Sequence, residues 1–386
     1  MSTLYSISEF AAKVGITQAT LRNWHKNGSL IPAHISKGSH RYYSHEQFLS
    51  VSGKDKYLST GKDIDVVGGK VVFISGGSGT LGNAITAKIC DVAKKVIIFS
   101  RGELKQAEMQ EKFVDKKNIR FMIGDIRDKE RLMFALREVD ICIHAACMKR
   151  VEKCTYDPFE AVKNNVIGSM NIVEACIENK IKKALMVSTD KACSPITLYG
   201  GTKFVSEQLF INGNNYSKRD GTVFTVSRYG NIFNSAGSFR ILLEKQAKLG
   251  KVKITHKDMS RFFMSIGDAV DLNLFALNNS IGGEIFIPKL KAATILEFAS
   301  TFCPDVPIEF IGLRGPEKIH EELISETEML YTVDCGKYYK ILPPNVNNEG
   351  LGWDREYPKE PTIKSFKYSS NAVEQFTPEE LKEFEK

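Results

Sequence analysis

Short apolar runs alternate with amphipathic stretches along most of the chain. The runs at residues 70–75, 95–99, 119–124, 140–146 and 182–187 each have the length of a buried parallel strand. The segments between them are long enough for a helix. Repeated strand-helix units of this kind predict an α/β fold with a doubly wound parallel sheet of the Rossmann type.

The first 60 residues follow a different pattern. Apolar positions at helical spacing in residues 5–14, the turn Gly15-Ile16-Thr17 and the stretch 18–26 predict two short helices joined by a glycine turn. Such a pair is typical of a helix-turn-helix module, and residues 38–43 have the pattern of a small wing behind it.

Charge divides the chain at the same place. Of the formal net charge of +7, residues 1–62 hold eight Lys or Arg against three Asp or Glu, and the rest of the chain holds 45 against 43. The basic character therefore belongs to the amino-terminal module. The body has no electrostatic reason to bind a polyanion.

We predict four segments. They are a helix-turn-helix module at residues 1–60, a linker at 61–69, an α/β domain with a small substrate-binding carboxyl-terminal part at 70–345, and a loop-rich tail at 346–386.

No apolar run is long enough to cross a bilayer, and the amino terminus lacks a signal-peptide core. A cytoplasmic protein without membrane contact is expected. Eight cysteines without a C-x-x-C pair indicate reduced core residues, and no metal is expected.

A glycine-rich turn follows the first predicted strand. Gly76, Gly79 and Gly82 keep a three-residue spacing that lets the backbone approach a pyrophosphate at a helix amino terminus. Arg101 follows Ser100 where an enzyme that prefers NAD would place an acid, so NADP is expected, with Lys105 as a second cation. The remaining predicted cofactor-binding residues are Thr80, Leu81, Asp125, Ile126, Ala145, Ala146, Lys149, Asn165, Tyr199 and Lys203.

Residues 188–203 carry the candidate chemistry. Asp190 and Lys191 emerge at the carboxyl end of a predicted strand, where open α/β sheets bind their ligands. Tyr199 and Lys203 are four residues apart and would share one helix face. A nearby ammonium favours the phenolate, so Tyr199 could act as a base, and Thr189 adds a hydroxyl. The alternative is a surface pair on a helix.

The chain from about residue 70 to residue 342 resembles the extended short-chain dehydrogenase/reductase family of UDP-N-acetylglucosamine 4,6-dehydratases, in particular the soluble inverting type. Two segments depart from the family pattern. Residues 314–318 exchange the Gly and Pro of Arg-Pro-Gly-Glu-Lys, and residues 146–150 read Ala-Cys-Met-Lys-Arg in place of Ala-Ala-Leu-Lys-His. The resemblance is carried by residues 99–106, 124–128, 188–203, 228–231, 260–262, 283–289 and 317–321.

This resemblance implies NADP-dependent dehydration of UDP-N-acetylglucosamine with inversion at C5, and a homo-oligomer. It assigns Tyr199 and Lys203 to oxidation at C4, and Asp190 and Lys191 to acid-base chemistry of the elimination. For Arg261 a structural ion pair is the alternative to a substrate contact. The substrate-binding residues it implies are Lys149, Asn231, Arg261, Arg314 and Glu317.

The amino-terminal module of residues 1–60, or head, resembles the helix-turn-helix of MerR-type regulators over about residues 4–49. This resemblance implies DNA contacts from Arg22, Asn23, Lys26 and Arg41. A head that mediates dimerisation, or has no role, is equally open. So are three alternatives to the inverting dehydratase: a C5-retaining dehydratase, a 4-epimerase, and a DNA-binding regulator that uses a dehydrogenase fold to sense NADP or a nucleotide sugar.

Overall fold

The structure is a computed structural model, and it describes residues 4–14, 17–26, 30–36, 38–44, 47, 63–217, 221–235, 237–343, 363 and 366–384. The chain forms two compact units. One holds residues 1–60 with Asp334–Lys337, and the other holds residues 61–333 and 338–386.

The amino-terminal unit contains the predicted pair of helices, Ile7–Val14 and Gln18–Lys26. Ser6 and Glu9 form a reciprocal capping box at the start of the first helix, so the helix begins at Ile7. Beside the helices lies an antiparallel sheet in the order β1-β3-β2, with strands β1 (Leu4–Ser6), β2 (His34–Ile35) and β3 (Arg41–Ser44). The small core of this unit includes Phe10, Leu21 and Tyr43, all fully buried.

The body is built on a nine-stranded sheet with the order β17-β18-β13-β9-β8-β7-β4-β5-β6. The body strands are β4 (Val71–Ser75), β5 (Lys95–Ser100), β6 (Ile119–Ile123), β7 (Ile141–His144), β8 (Lys183–Val187), β9 (Val223–Ser227), β10 (Asn231–Ile232), β11 (Val252–Ile254), β12 (Ser260–Met264), β13 (Ile285–Pro288), β14 (Ala292–Thr294), β15 (Ile308–Phe310), β16 (Glu322–Ile324), β17 (Thr332–Cys335), β18 (Tyr338–Ile341) and β19 (Tyr368–Ser369).

Helices cover this sheet and connect its strands. The α-helices are Thr80–Ile89, Glu103–Lys112, Lys129–Ala135, Val151–Tyr156, Pro158–Val162, Gly168–Glu178, Leu198–Gly213, Phe239–Ala247, Ile266–Asn279, Ile295–Phe302, Glu326–Met329 and Pro378–Glu383. Asp63–Val67 and Asp190–Ala192 form 3-10 helices, and Lys163–Ile167 is a π-helical turn.

The seven strands from β6 to β13 are parallel, and β18 pairs with β13 in the antiparallel sense. Strand β4 lies between β5 and β7, so the chain order reverses there and a crevice opens at the carboxyl ends of the strands. The prediction of a doubly wound sheet is confirmed.

Apolar cores among the described residues hold the body together, and two of them are built around the central sheet and the small carboxyl-terminal part. The larger core contains side chains of the central strands, including Phe73, Cys142 and Met186, all fully buried. The second core belongs to the small carboxyl-terminal part, where the rings of Phe263 and Phe298 stack with centroids 4.7 Å apart. The cleft described below is lined by residues of both parts.

Two predicted boundaries change. Residues 63–67 are a 3-10 helix whose Val67 is fully buried and whose Asp63 accepts a hydrogen bond from Asn278 at 3.0 Å. They belong to the body rather than to a linker, and residues 61–62 lie outside the described residues. Part of the predicted tail is also integrated, since β19 pairs with β16 and Leu381 is buried in the second core. Residues 346–362 of that tail lie outside the description.

No helix among the described residues is long and apolar enough to cross a membrane. All eight cysteines are free, and all except Cys147 are buried. This agrees with the prediction of reduced core residues.

Candidate active site

A cleft of 1260 Å³ runs along the carboxyl ends of β4, β5, β7 and β8. Most of the predicted site residues lie on its wall. They are Gly76, Gly79, Thr80, Leu81, Gly82, Ser100, Arg101, Lys105, Asp125, Ile126, Ala145, Ala146, Lys149, Thr189, Lys191, Tyr199, Lys203, Asn231 and Arg314. Four predicted residues of the described body are not on this wall, namely Asn165, Asp190, Arg261 and Glu317.

The glycine turn has the close backbone contacts that its spacing predicts. Gly76 has a φ of +67°, and a Cβ there would lie 2.8 Å from the backbone nitrogen of Ala146. A Cβ on Gly82 would lie 2.2 Å from the carbonyl oxygen of Gly77. The helix Thr80–Ile89 starts at Gly79, which has no side chain to cover its amino-terminal end. An anion such as a pyrophosphate fits against this positive helix end.

Arg101 stands at the cleft end of β5 with 58% of its side chain exposed, 3.8 Å from a carboxylate oxygen of Asp125. Arg127 holds the same oxygen at 2.6 Å. Burial alone would raise the pKa of Asp125, but hydrogen bonds from Arg127 and the charge of Arg101 lower it overall. Asp125 is therefore ionised, and its close ion pair is with Arg127. Arg101 is farther from this carboxylate and faces the cleft as a cation.

Tyr199 and Lys203 lie on the helix Leu198–Gly213, and both are buried. Lys203 Nζ donates a hydrogen bond to the carbonyl oxygen of Val187 at 2.8 Å. Burial raises the pKa of Tyr199 well above its usual value, Cys147 and Asp190 add to the rise, and a hydrogen bond with Thr189 opposes it. Burial also lowers the pKa of Lys203. Lys203 is not among the groups that shift the pKa of Tyr199, and burial, which disfavours the phenolate, is the largest cause of the rise. The role of Tyr199 as a base stays a prediction.

Asp190 and Lys191 form an ion pair on the 3-10 helix that follows β8. Asp190 is fully buried, and its Oδ1 accepts hydrogen bonds from the Thr189 hydroxyl at 2.8 Å and from Lys191 Nζ at 3.0 Å. Burial alone would lower the pKa of Lys191, but Asp190 and Glu321 raise it overall. Lys191 is thus an ammonium ion that reaches the cleft wall, with Asp190 directly behind it.

Glu321 is a site residue to which the sequence analysis gave no role. Its Oε1 lies 3.4 Å from Lys191 Nζ, and the carboxylate is almost completely buried. It lies in the segment 317–321, which carries part of the resemblance to the family but gives no role to Glu321. The contact with Lys191 could not be predicted because the two residues are far apart in the sequence.

Asn165 supports the site from behind. Its side chain accepts from the backbone N–H of Met148 at 2.8 Å and donates to the Met148 carbonyl and the Thr202 hydroxyl, each at 3.0 Å. It thereby ties the segment after β7 to the helix that carries Tyr199.

Arg261 has the ion-pair arrangement that was the alternative to a substrate contact. Its Nη1 donates to the carbonyl oxygens of Ser260 and Ile319 at 2.7 and 3.0 Å, and its Nε lies 3.8 Å from Glu321 Oε1. Arg314 is exposed on the cleft wall, and Glu317 accepts a hydrogen bond from its backbone N–H at 3.2 Å. Glu317 therefore shapes the loop of Arg314 instead of facing the cleft.

Several further cleft residues were not predicted, among them Cys147, Arg150, Tyr229 and Lys245. Cys147 and Arg150 fall at departures from the family pattern, which could have marked them as determinants of this site. Lys245 has no local motif. Within the described residues, no group of three or more His, Cys, Asp or Glu side chains is arranged to hold a metal ion.

The family model described as polysaccharide biosynthesis protein matches residues 72–343, and the model of the MerR family regulatory proteins matches residues 6–43. The curated UDP-N-acetylglucosamine 4,6-dehydratase (inverting) of Campylobacter jejuni is 42% identical over 71% of this chain and 83% of its own length. The UDP-glucose 4-epimerase of Rickettsia bellii is 40% identical over 70% of this chain and 82% of its own length.

Among solved structures, Pen from Bacillus thuringiensis superimposes with a TM-score of 0.74 at 35% identity, over 82% of this chain and 96% of that chain. The dTDP-glucose 4,6-dehydratase DesIV from Streptomyces venezuelae, solved with NAD and TYD, has a TM-score of 0.57 at 17% identity, over 64% of this chain and 86% of its own. At that identity the likeness shows the fold alone.

The two adjacent glycines of the Tyr199 helix give a matched test of how closely this helix must approach the Lys191 turn. A Cβ on Gly200 would lie 2.3 Å from the Lys191 carbonyl oxygen, whereas a Cβ on Gly201 meets nothing within 4 Å. We expect Gly200→Ala to lower the free energy of unfolding by about 1–3 kcal/mol because the two elements are forced apart. Gly201→Ala should raise it by up to about 1 kcal/mol through helix propensity. Urea unfolding of both variants checks this, and equal effects would contradict the close contact.

Proposed function

The chain belongs to the polysaccharide biosynthesis protein family, and from that premise we propose that it dehydrates UDP-N-acetylglucosamine across C5 and C6 with NADP and inverts C5. The product would be UDP-2-acetamido-2,6-dideoxy-L-arabino-hex-4-ulose, and the enzyme is a carbon-oxygen lyase. The observation that carries the proposal is the Asp190–Lys191 pair, 3.0 Å apart, behind a cleft that also contains Tyr199 and Lys203. The Campylobacter relative, a UDP-N-acetylglucosamine 4,6-dehydratase (inverting), supports it.

The cleft residues fit NADP. The glycine turn and the positive end of the helix Thr80–Ile89 suit the pyrophosphate, and Arg101 with Lys105 suits a 2′-phosphate. Bound there, NADP would supply the hydride chemistry of the reaction, which the side chains of the protein lack. Ala145 and Ala146 leave room for it beside β7.

Tyr199 would take the proton of the C4 hydroxyl. Because burial raises the pKa of this phenol, the phenolate needs a positive charge nearby, and Lys203, one turn along the same helix, would supply it. The ketone that forms at C4 makes the C5 proton acidic enough to remove.

Lys191 would remove that C5 proton, and Asp190 would protonate the departing C6 hydroxyl. The raised pKa of Lys191 and its 3.0 Å contact with Asp190 favour Lys191 as the ammonium, which is the reverse of the state that this step needs. Transfer of one proton from Lys191 Nζ to Asp190 Oδ1 breaks one N–H bond, forms one O–H bond and leaves the total charge unchanged. Both partners then have the protonation that the elimination needs. Exclusion of water by a bound substrate would favour this neutral pair, since buried charges are costly.

A 4-epimerase is the alternative within the enzymes, and the Rickettsia relative favours it. An epimerase returns the hydride to C4 and has no need of a second acid-base pair. Mass spectrometry of UDP-N-acetylglucosamine incubated with the protein, together with proton NMR for the C4 configuration, separates the cases. We expect a product lighter by one water. A product of unchanged mass that is the C4 epimer would establish an epimerase, and no conversion would favour a sensor.

Arg101 should give the preference for NADP. Arg101→Ala removes a charge-assisted contact to the 2′-phosphate, so we expect NADP binding to weaken by at least about tenfold while NAD binding is unchanged. Arg120→Ala is the control, because Arg120 is an exposed cation on the neighbouring strand β6 and is not on the cleft wall. Calorimetry measures the affinities of the unaltered protein and of both variants for NADP and NAD. Equal affinity of the unaltered protein for the two cofactors would defeat the assignment.

The two acid-base groups should be separable by substitution. Lys191→Ala keeps Tyr199 and Lys203 and should allow oxidation at C4 but not removal of the C5 proton, so the near-ultraviolet absorbance of the reduced cofactor should build up. Tyr199→Phe should stop the reaction before oxidation, and this absorbance should be absent. Normal turnover by Lys191→Ala, or the same absorbance in Tyr199→Phe, would refute this division of roles.

For the amino-terminal unit we propose DNA contacts from Arg22, Lys26 and Arg41. Arg22 and Lys26 are exposed on the second helix, and Arg41 Nε donates to His25 Nδ1 at 3.0 Å. The side chain of Asn23, the fourth predicted contact, lies outside the described residues. The match to the MerR family regulatory proteins supports the proposal.

A homo-oligomer also stays a prediction. It is supported by two aromatic side chains of the body that are largely exposed, Tyr156 at 78% and Phe159 at 80%.

The head should be dispensable for catalysis. Deleting residues 1–60 removes a unit with its own core, so we expect the dehydration rate to stay within a few-fold of the full chain. Initial rates of both proteins check this. A shortened protein that folds but has lost all activity would show that the head is part of the enzyme. A gel shift that is absent even at low salt would remove the DNA proposal.

A further inference from the structure

Glu321 is a buried carboxylate that the proposed reaction does not use. It immediately precedes β16, and its backbone is fixed by hydrogen bonds to Ser370, with the Glu321 N–H donating to the hydroxyl at 3.0 Å and the Ser370 N–H donating to the Glu321 carbonyl at 2.8 Å. Its Oε1 lies 3.4 Å from Lys191 Nζ and 3.8 Å from Arg261 Nε. Its Oε2 is buried and accepts no hydrogen bond from the described residues.

A buried carboxylate with an oxygen that lacks a hydrogen bond is costly unless its charge is balanced. Here the balance comes from three cations on three different segments: Lys191, Arg261 on β12, and Lys318 with its Nζ 4.0 Å from Oε2. Lys318 is itself fixed, since Nζ donates to the Cys193 carbonyl at 2.6 Å. The arrangement is a charge network that surrounds one catalytic group, and it has no contact with the cleft except through Lys191.

We infer that Glu321 is a positioning residue that holds the Lys191 ammonium beside Asp190 and, together with Arg261, sets the pH at which the pair becomes active. The inference rests on the proposed function, because it concerns the base of that reaction. The groups that face Lys191 are Asp190 and Thr189 from its own turn, Glu321 before β16, and Arg261 from β12. Tyr199 contributes a neutral phenol from the neighbouring helix.

The two flanking groups act on Lys191 with opposite signs. Glu321 raises the pKa of Lys191 and Arg261 lowers it. By the proton transfer from Lys191 to Asp190, the pair is active while it holds one proton in total, so activity is lost at low pH when the pair takes up a second proton. Removing the negative charge of Glu321 should therefore move the acidic limb of the kcat profile to lower pH, and removing the positive charge of Arg261 should move it to higher pH.

The experiment compares the pH dependence of kcat for the unaltered protein, Glu321→Gln and Arg261→Gln. For Glu321→Gln we expect the acidic limb to fall by roughly one pH unit, the effect of a single charge at this separation in a water-like medium. For Arg261→Gln we expect a shift in the opposite direction. In both variants KM for UDP-N-acetylglucosamine should change by less than about twofold, since neither side chain is on the cleft wall.

Two further variants serve as controls. Glu321→Asp keeps the charge and should return the acidic limb towards its original position. Glu322→Gln removes the neighbouring carboxylate, which accepts from the Ser194 hydroxyl at 3.3 Å and does not contact Lys191, so its profile should not move. Far-ultraviolet circular dichroism confirms that each variant is folded.

An acidic limb of the kcat profile that does not move in folded Glu321→Gln would overturn the inference. A rise in KM without a shift of this limb would also overturn it, because Glu321 and Arg261 would then be substrate contacts. Failure of the unaltered protein to dehydrate the substrate would overturn the proposed function instead. The inference is then decided by the 13Cε signal of Lys191 in lysine-labelled protein, assigned with Lys191→Met. Its titration midpoint should be lower in Glu321→Gln than in the unaltered protein, and an equal midpoint would refute the inference.

Discussion

The ion pair between Asp190 and Lys191 is the constraint on which the site depends. Its two charges are held 3.0 Å apart where one partner is fully buried, so the surrounding structure must compensate both. The Thr189 hydroxyl donates to the carboxylate, Glu321 balances the ammonium, and Gly200 lets the Tyr199 helix approach the turn that carries the pair. Thr189 belongs to the same turn as the pair, whereas Glu321 and Gly200 come from other segments, so this environment of the pair exists only in the folded chain.

The sheet explains why one cleft can hold both half-reactions. The parallel strands β4, β5, β7 and β8 end at the same edge, which places the glycine turn, Arg101 and the Lys191 turn around one crevice. The part of the site proposed for the cofactor consists of the glycine turn and the amino-terminal end of the helix Thr80–Ile89. The part proposed for the elimination consists of the buried ion pair of Asp190 and Lys191. Tyr199 and Lys203 both line the cleft, and in the proposed reaction they would face the cofactor and the sugar together.

Local sequence patterns predicted the parts of the site that local geometry determines. The spacing of Gly76, Gly79 and Gly82 needs only a strand, a turn and a helix, and Tyr199 and Lys203 need only one helix face. Glu321 and Arg261 could not be placed in this way, because their meeting with Lys191 requires β12 and the segment before β16 to pack against the turn. The pKa of Tyr199 was also beyond a spacing argument, since it depends on burial rather than on the nearby lysine. Residues 63–67 looked like a linker by composition, and only the buried Val67 shows that they belong to the body.

The most direct test of the account is proton NMR of UDP-N-acetylglucosamine incubated with the purified protein in deuterated water. If Lys191 removes the C5 proton and Asp190 assists the loss of the C6 hydroxyl, the product will have a C6 methyl signal, deuterium at C5 and the inverted C5 configuration. A product that keeps its C6 hydroxyl and its C5 proton, with only C4 changed, would contradict the roles assigned to both residues.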